Sequence, residues 1–203
     1  MNESSEPRGL RERKKLKARR ELERVALELF IAKGFEQTTI REIADAADMS
    51  PRTFFRYFSS KEEVIFARTS EDIEALKARL RSRPESEPPY ESLRHSFIEW
   101  ADHLQASKED IGARVQVTAA ADALRRRAAQ LRDHFAGALA RELSERAPHS
   151  DAARHTLVAS VCVQTMMLAL IQWNRADQQR PLRDFMREGF ERLEREIRAA
   201  TPI

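Results

Sequence analysis

The chain has 203 residues, 41% of them hydrophobic, so it is long enough to bury a sizeable core without disulfides or a structural metal. Only five glycines occur, and the abundance of Ala, Leu, Arg and Glu favours an all-α fold over a glycine-punctuated sheet. The single cysteine, Cys162, excludes an intramolecular disulfide, and no apolar stretch follows the N-terminal basic residues as a signal peptide requires, so we expect a cytoplasmic protein.

The net positive charge lies in the first third of the chain. Residues 1–68 hold 15 basic and 12 acidic side chains, and the remainder has 21 of each. This asymmetry fits an N-terminal part that meets a polyanion, but an ordinary charged surface explains it equally well. The basic run at residues 11–20 either extends the first helix or remains an arm, and we expect it to add affinity for phosphate.

The first two helices have clear sequence signals. Apolar residues at helical spacing predict a first helix that ends at Gly34: Leu22, Val25, Ala26 and Leu29. A second helix begins at Thr39, because Thr39 and Glu42 form the pattern of a capping box, in which each side chain satisfies a free backbone amide.

A short third helix follows a tight turn at residues 47–49. Ser50 suits its N-cap and Pro51 its first position, where the missing N–H costs nothing. Phe54 and Phe58 are four residues apart and are expected to plug the core. Two short helices joined by a tight turn and packed on a longer one predict a helix-turn-helix unit.

A further capping pattern at residues 60–63 predicts a fourth helix. Its apolar positions continue through Ile73, Leu76 and Leu80, so we expect one uninterrupted helix. Three prolines within residues 84–89 end it, and we interpret this segment as a connection inside the fold.

The remaining chain predicts core-facing helices, including a short one near residues 109–119. Residues 156–171 are apolar nearly all round and carry no charge. A membrane span is one interpretation, but the segment is shorter than the roughly 20 residues that a bilayer requires and contains Gln164, so we favour a buried helix.

The last two helices have more apolar surface than they can bury against each other, which predicts a self-complementary interface with a second copy. The residues expected in this homodimer interface are Leu157, Val161, Gln164, Leu168, Leu182, Met186, Phe190, Leu193 and Ile197.

The third helix carries residue types that recognise DNA. With the two phenylalanines facing inward, Arg52, Phe55 and Arg56 share the opposite face. Arginine can bond the guanine edge with two hydrogen bonds, and an aromatic ring can contact a thymine methyl group. Thr53 and Tyr57 supply hydroxyls for phosphate oxygens, and Lys61 in the first turn of the next helix suits another phosphate.

Residues 22–66 resemble the DNA-binding domain of the TetR family of regulators. The matching motifs are residues 32–35, 38–44, 50–58 and 60–62. The resemblance implies phosphate contacts from Thr39 and Tyr57, a contact from Arg41, groove reading by Arg52, Phe55 and Arg56, and a backbone clamp at Lys61.

The resemblance also implies the organisation of the whole chain. Residues 1–66 form a three-helix DNA-binding domain with a basic arm, and a fourth helix joins it to a helical-bundle domain for ligand binding and dimerisation at residues 67–203. Most relatives are repressors. We therefore expect a homodimer that binds a pseudo-palindromic DNA operator and is released by a small hydrophobic or amphipathic effector.

Two positions depart from the family pattern. Asp48 stands in the turn where the family usually has Gly, and Asp tolerates the left-handed conformation expected there. Arg52 stands where the family often has a small residue, so the operator sequence is expected to differ.

No motif in the second domain identifies a ligand. The residues expected to line an apolar effector cavity, with ordinary core as the alternative for each, are Phe97, Trp100, Leu104, Arg114, Val115, Leu131, Phe135, Met166, Met167 and Leu170. His95 and His103 lack a third metal ligand, so neither a metal nor a cofactor is expected.

The rival function classes lack support in the sequence. There is no glycine-rich phosphate loop, zinc-protease motif or nucleophile elbow, so we expect no enzyme. A ligand-independent or architectural DNA-binding protein is the alternative, and it would lack a strong preference for one palindrome.

Overall fold

The computed structural model describes residues 8–147 and 151–200, and these residues form helices without any strand, which confirms the all-α class. The helices are α1 (Arg8–Lys33), α2 (Ile40–Ala46), α3 (Pro51–Phe55), α4 (Lys61–Ile65), α5 (Thr69–Arg81), α6 (Pro89–Gln105), α7 (Lys108–Ala120), α8 (Asp122–Arg146), α9 (Ala152–Arg175) and α10 (Leu182–Ala199). The basic run at residues 11–20 is therefore part of α1.

The predicted caps of α2 and α3 are confirmed. The Glu42 amide donates to the Thr39 hydroxyl, and the Thr39 amide donates to the Glu42 carboxylate at 2.8 Å. The Thr53 amide donates to the Ser50 hydroxyl at 3.1 Å. Asp48 has φ +53°, the left-handed conformation expected of the turn. These local bonds set the two helices of the helix-turn-helix.

The predicted fourth helix is interrupted. It ends at Ile65, and α5 begins at Thr69, so the expectation of one continuous helix is wrong. The Thr69 amide donates to Phe66 at 3.0 Å instead of to Ile65, as an uninterrupted helix would require. The side chain of Arg114 bonds the freed carbonyl oxygens of Val64 and Ile65, at 2.7 and 2.6 Å, from helix α7.

Two clusters of buried apolar side chains form the interior. The first cluster contains residues of all four helices from α1 to α4 and is centred on Phe54 and Phe58, which are almost fully buried, as predicted. It also includes Val117 of α7 and Leu124 of α8. The second cluster fills the bundle of α5, α6, α8, α9 and α10. Helices α1 to α4, which we call the head, therefore pack on the bundle through the end of α7 and the start of α8.

Helix α9 contains the apolar segment that sequence alone left between two interpretations. By length and composition it is the one helix among the described residues that could cross a membrane, and 44% of its most apolar window is buried in the fold. It packs against α6, α8 and α10, with Trp173 fully buried. This packing fits a helix of the bundle core with one side left open.

Candidate DNA-binding surface and effector cavity

The short helix α3 presents three large side chains to solvent. Its inner face is fixed by Phe54, which is fully buried. Arg52, Phe55 and Arg56 are exposed, and Phe55 has 56% of its surface open although it is aromatic. The Phe55 ring contacts the Phe54 ring edge-on, with 5.8 Å between the centroids, and its remaining surface is open to DNA.

Neighbouring side chains order two of the predicted DNA contacts. The guanidinium of Arg56 lies 5.0 Å from the centroid of the Tyr57 ring and donates to its hydroxyl at 3.1 Å. The Thr53 hydroxyl lies 3.0 Å from that of Ser50. These contacts restrict the side-chain motion that DNA binding would otherwise have to freeze.

Two further predicted contacts are exposed on and before α2. The Thr39 hydroxyl also donates to the Glu42 carboxylate at 2.8 Å, so it belongs to the cap. Lys33 pairs with the same carboxylate, and together these bonds lower the pKa of Glu42 to about 2. Arg41 extends into solvent with 84% of its side chain exposed, 3.7 Å from Asp45.

Lys61 differs from the role predicted for it. Its ammonium donates to the backbone carbonyls of Phe35, Glu36 and Thr38 at 2.8, 3.3 and 3.2 Å. A lysine ammonium has three donor hydrogens, and all three have acceptors here. In this arrangement Lys61 ties the start of α4 to the α1–α2 loop and holds no hydrogen for a phosphate.

The C-terminal end of the basic run of α1 contacts the helix-turn-helix, where the Arg19 guanidinium lies 5.6 Å from the centroid of the Phe58 ring. The C-terminal end of α1 reaches α2 through the Lys33–Glu42 pair, whereas Leu16 shares a cleft with His103 and Ser107 of the bundle. At 1.5 Å per residue, Arg13 is about 30 Å along the axis from Lys33. The expected contribution of this run to phosphate affinity stays a prediction.

An apolar cavity of about 180 Å³ lies between α5, α6, α8 and α9. The structure brings together most of the residues that the sequence predicted for it: Trp100, Arg114, Leu131, Phe135, Met166, Met167 and Leu170. Phe97 is fully buried beside the Phe190 ring, Leu104 lines a different cleft, and Val115 packs against the bundle core. For Phe97 and Val115 the alternative of ordinary core is the better description.

The cavity has polar groups without partners. The indole N–H of Trp100 is buried and has no acceptor among the described residues. Arg132 also lines the cavity, and no described side chain forms an ion pair with it. Sequence reasoning missed Arg132 because α8 carries several arginines and nothing in their spacing distinguishes this one.

A polar cleft of about 490 Å³ adjoins the apolar cavity and shares Thr69, Asp72 and Arg114 with it. The cleft reaches α1 of the head through Arg19 and Glu23. Burial raises the pKa of Asp72 to about 6, against the attraction of Arg68 and Arg114. The carboxyl of Asp72 therefore titrates close to neutral pH, at the boundary between the two spaces.

Arg114 is fully engaged inside the protein. Besides the carbonyls of Val64 and Ile65, it bonds Glu23 of α1 at 3.1 Å and Asp110 of its own helix at 3.2 Å. Burial raises the pKa of Glu23 although Arg114 attracts its negative charge. Arg114 was predicted as an effector contact, and it is also the side chain that joins α7 to the head.

The predicted dimer residues separate into two groups. Leu157, Gln164 and Leu168 are exposed on one stripe of α9 with the half-buried Val161, and on α10 Leu193 is half-buried and Ile197 exposed. Leu182, Met186 and Phe190, in contrast, are fully buried in the protomer, and their assignment to the interface is wrong. Their face of α10 packs on α6 and α9, where Phe190 contacts the rings of Tyr90 and Phe97.

Sequence profiles of known families match both parts of the chain. Residues 24–67 match the profile of bacterial regulatory proteins of the tetR family. Residues 87–198, more than half of the chain, match the profile of the MftR C-terminal domain. The transcriptional regulator TcmR of Streptomyces glaucescens is 48% identical over 89 residues, which are 44% of this chain and 39% of TcmR.

Solved structures of similar architecture cover nearly the whole chain. The repressor FadR of Thermus thermophilus, solved in complex with lauroyl-CoA, is 27% identical with a TM-score of 0.55, covering 85% of this chain and 91% of FadR. FadR of Bacillus halodurans has a TM-score of 0.62 at 16% identity, with coverage of 86% and 93%, and this likeness concerns the fold alone.

Proposed function

Because the chain belongs to the TetR family of bacterial regulatory proteins, we propose that it is a cytoplasmic repressor that binds a pseudo-palindromic operator as a homodimer and is released by a small amphipathic effector. The observation that carries this proposal is the position of Arg114. Its side chain lines the apolar cavity and also bonds Val64 and Glu23 of the head. The proposed activity is binding, not catalysis.

DNA reading is assigned to the exposed face of the head. Arg52, Phe55 and Arg56 are proposed to contact base edges in the major groove, and Thr39, Arg41, Thr53 and Tyr57 to contact the backbone. The assignment is supported by the family membership and by the positions of these side chains, all of which are exposed except the half-buried Thr53 and Tyr57. Residues 1–66 are proposed as the DNA-binding domain, and this boundary falls at the interruption between α4 and α5.

The homodimer is assigned to the open side of α9. Leu157, Val161, Gln164 and Leu168 are spaced by four, three and four residues, so they form one stripe along the helix. Leu157 and Leu168 have 65% and 51% of their surfaces exposed in the protomer. A twofold axis through this stripe would pack the stripe against its own copy, and two heads so related would require a pseudo-palindromic site.

The effector is assigned to the apolar cavity. A space of about 180 Å³ is below the usual range of roughly 300–1,000 Å³ for ligand sites, so it suits a slender apolar chain better than a bulky ring system. The unpartnered Trp100 N–H and the unpaired Arg132 favour a ligand that also carries hydrogen-bond acceptors or negative charge. The lauroyl-CoA bound by the Thermus thermophilus relative has this combination and is a suitable first probe.

One experiment tests the main parts of this function. Sites are selected from random DNA, and the affinity for the preferred site is measured with lauroyl-CoA and with coenzyme A alone as the control. We expect a palindromic site whose affinity falls at least tenfold with lauroyl-CoA and is unaffected by coenzyme A. Selection of no preferred sequence would favour an architectural DNA-binding protein. A preferred palindrome that ignores lauroyl-CoA would instead reject this effector class.

A further inference from the structure

The segment between α4 and α5 is competent to be helical. Residues 66–68 are Phe-Ala-Arg, which contain neither Gly nor Pro, and the hydrophobic pattern on both sides predicts an unbroken helix. In the fold these residues nevertheless form a turn. The interruption therefore comes from contacts with the rest of the protein and not from the local sequence.

Arg114 supplies the bonds that stabilise the interrupted form. In a continuous helix the carbonyls of Val64 and Ile65 would accept from the amides of Arg68 and Thr69. Here both carbonyls accept from one nitrogen of the Arg114 guanidinium instead, at 2.7 and 2.6 Å. A charged donor satisfies these carbonyls better than a neutral amide does, so Arg114 compensates for the lost helical bonds.

Other arginines support the same geometry. Arg19 of α1 donates to the Ala67 carbonyl at 2.9 Å. Arg68 lies 3.3 Å from Asp110 and 3.7 Å from Glu23. The two ion pairs of Arg68 connect the turn to α7 and to α1, so the turn at residues 66–68 is one of the places where the head is joined to the rest of the fold.

The turn also borders the apolar cavity. Phe66, in the turn itself, and Arg114 both line the space that we assign to the effector. A ligand that fills this space and engages the Arg114 side chain therefore competes directly with the bonds to Val64 and Ile65. A ligand can shift the balance between two conformations only if it binds one of them more tightly than the other.

We propose that Arg114 is a latch that keeps α4 and α5 as separate helices, and that its displacement by the effector lets residues 66–68 join them into one helix. Joining the helices would change the angle between the head and the bundle, and with it the spacing of the two recognition helices of a dimer. The latched form binds the operator and the continuous form releases it. The part of this inference that concerns the effector rests on the proposed function, whereas the latch itself does not.

The latch is tested without any ligand by amide hydrogen exchange in Arg114→Met, which keeps an unbranched apolar stem and removes the guanidinium donors. We expect the amide of Arg68 to exchange at least tenfold more slowly than in the unmodified protein, because it gains a helical acceptor in Val64, whereas the Thr69 amide already donates to Phe66. Arg126→Met is the matched control, since Arg126 is exposed on α8 and makes none of these contacts. Unchanged or faster exchange at the Arg68 amide in a folded Arg114→Met protein would overturn the proposal.

Operator binding gives the second readout. Arg114→Met is expected to bind the selected site at least tenfold more weakly than the unmodified protein and to show no further loss with lauroyl-CoA. If lauroyl-CoA weakens the variant as strongly as it weakens the unmodified protein, Arg114 does not transmit the signal. If lauroyl-CoA affects neither protein, the effector class fails, while hydrogen exchange still decides the latch.

Arg114→Lys extends the test if the methionine variant does not fold. A lysine ammonium cannot reproduce the planar fork that serves two carbonyls and Glu23 together. We expect slower exchange at the Arg68 amide, by a smaller factor than in Arg114→Met. Exchange equal to that of the unmodified protein would show that a positive charge is sufficient and would overturn the role of the guanidinium.

Discussion

The ammonium of Lys61 lies 4.3 Å from the centroid of the Phe35 ring and donates to the carbonyl oxygen of the same residue at 2.8 Å. This pair fastens the first turn of α4 to the loop that follows α1. It places Lys61 among the residues that hold the head together, next to the surface on which DNA is proposed to bind.

The structural role of Lys61 predicts a loss of stability on substitution. Lys61→Met would leave the carbonyls of Phe35, Glu36 and Thr38 without their shared donor, and we expect the free energy of unfolding to fall by roughly 1–3 kcal/mol. Urea denaturation measures this change. Lys17→Met is the control on the surface of α1, expected to differ by less than about 0.5 kcal/mol. If the Lys61→Met protein has unchanged stability and weakened DNA binding, the result would support the phosphate contact that the sequence predicted for Lys61.

Arg56 is expected to read a base. Arg56→Ala should cost on the order of 1–3 kcal/mol of binding free energy on the selected operator and leave nonspecific binding nearly unchanged. Fluorescence anisotropy on both DNA sequences at one salt concentration gives the comparison. Equal losses on the two sequences would show that Arg56 contacts a phosphate. The Tyr57 ring, on which Arg56 stacks, would then orient a contact with the DNA backbone.

The stripe on α9 is expected to form the dimer. Leu168→Asp would place a charge in an apolar interface, and we expect the sedimenting mass to fall from that of a dimer to that of the 23.4 kDa chain. Ile31→Asp is the control, because Ile31 is similarly exposed but lies on α1. A Leu168→Asp protein that still sediments as a dimer would move the interface away from α9.

Asp72 predicts a pH dependence of stability. Its pKa is raised to about 6 from the ordinary 3.8, so the folded state binds the proton more tightly than the unfolded state does. The contribution of the Asp72 carboxyl to the free energy of unfolding is therefore present at low pH and is lost as the pH rises through 4 to 6. Between pH 4 and pH 7 we expect the unmodified protein to lose on the order of 1–2 kcal/mol relative to Asp72→Asn. Parallel stability curves for the two proteins would contradict the shift.

Arg132 is expected to bind the polar part of the effector. Arg132→Gln should weaken lauroyl-CoA binding about tenfold, since a hydrogen bond to a charged group contributes roughly 1.5–3 kcal/mol. The change in tryptophan fluorescence on titration reports binding, and Trp100 lies in the cavity wall. Arg126→Gln makes the same change of charge on the exposed side of α8. Equal effects of the two substitutions would indicate general electrostatic attraction rather than a contact at Arg132.

The local features of the head could be predicted from sequence because their bonds join near neighbours. The cap at Thr39 joins residues three apart, the cap at Ser50 does the same, and the left-handed conformation of Asp48 depends on its own backbone. Periodic apolar residues likewise identified the bundle helices. Spacing along a helix determines which residues share a face, and that much is encoded locally.

Which neighbour covers each face depends on tertiary packing. The sequence marked Leu182, Met186 and Phe190 as one apolar face, but a contact with α6 and α9 and a contact with a second copy satisfy the same pattern. The interruption at residues 66–68 could not be predicted from the sequence for the same reason, because Arg114 reaches Val64 across 50 positions of the chain. The sequence by itself determined the helix-turn-helix and most of the bundle helices. Only the tertiary structure decided how the head is fastened to the bundle, since a buried arginine bonds whichever carbonyls the fold brings to it.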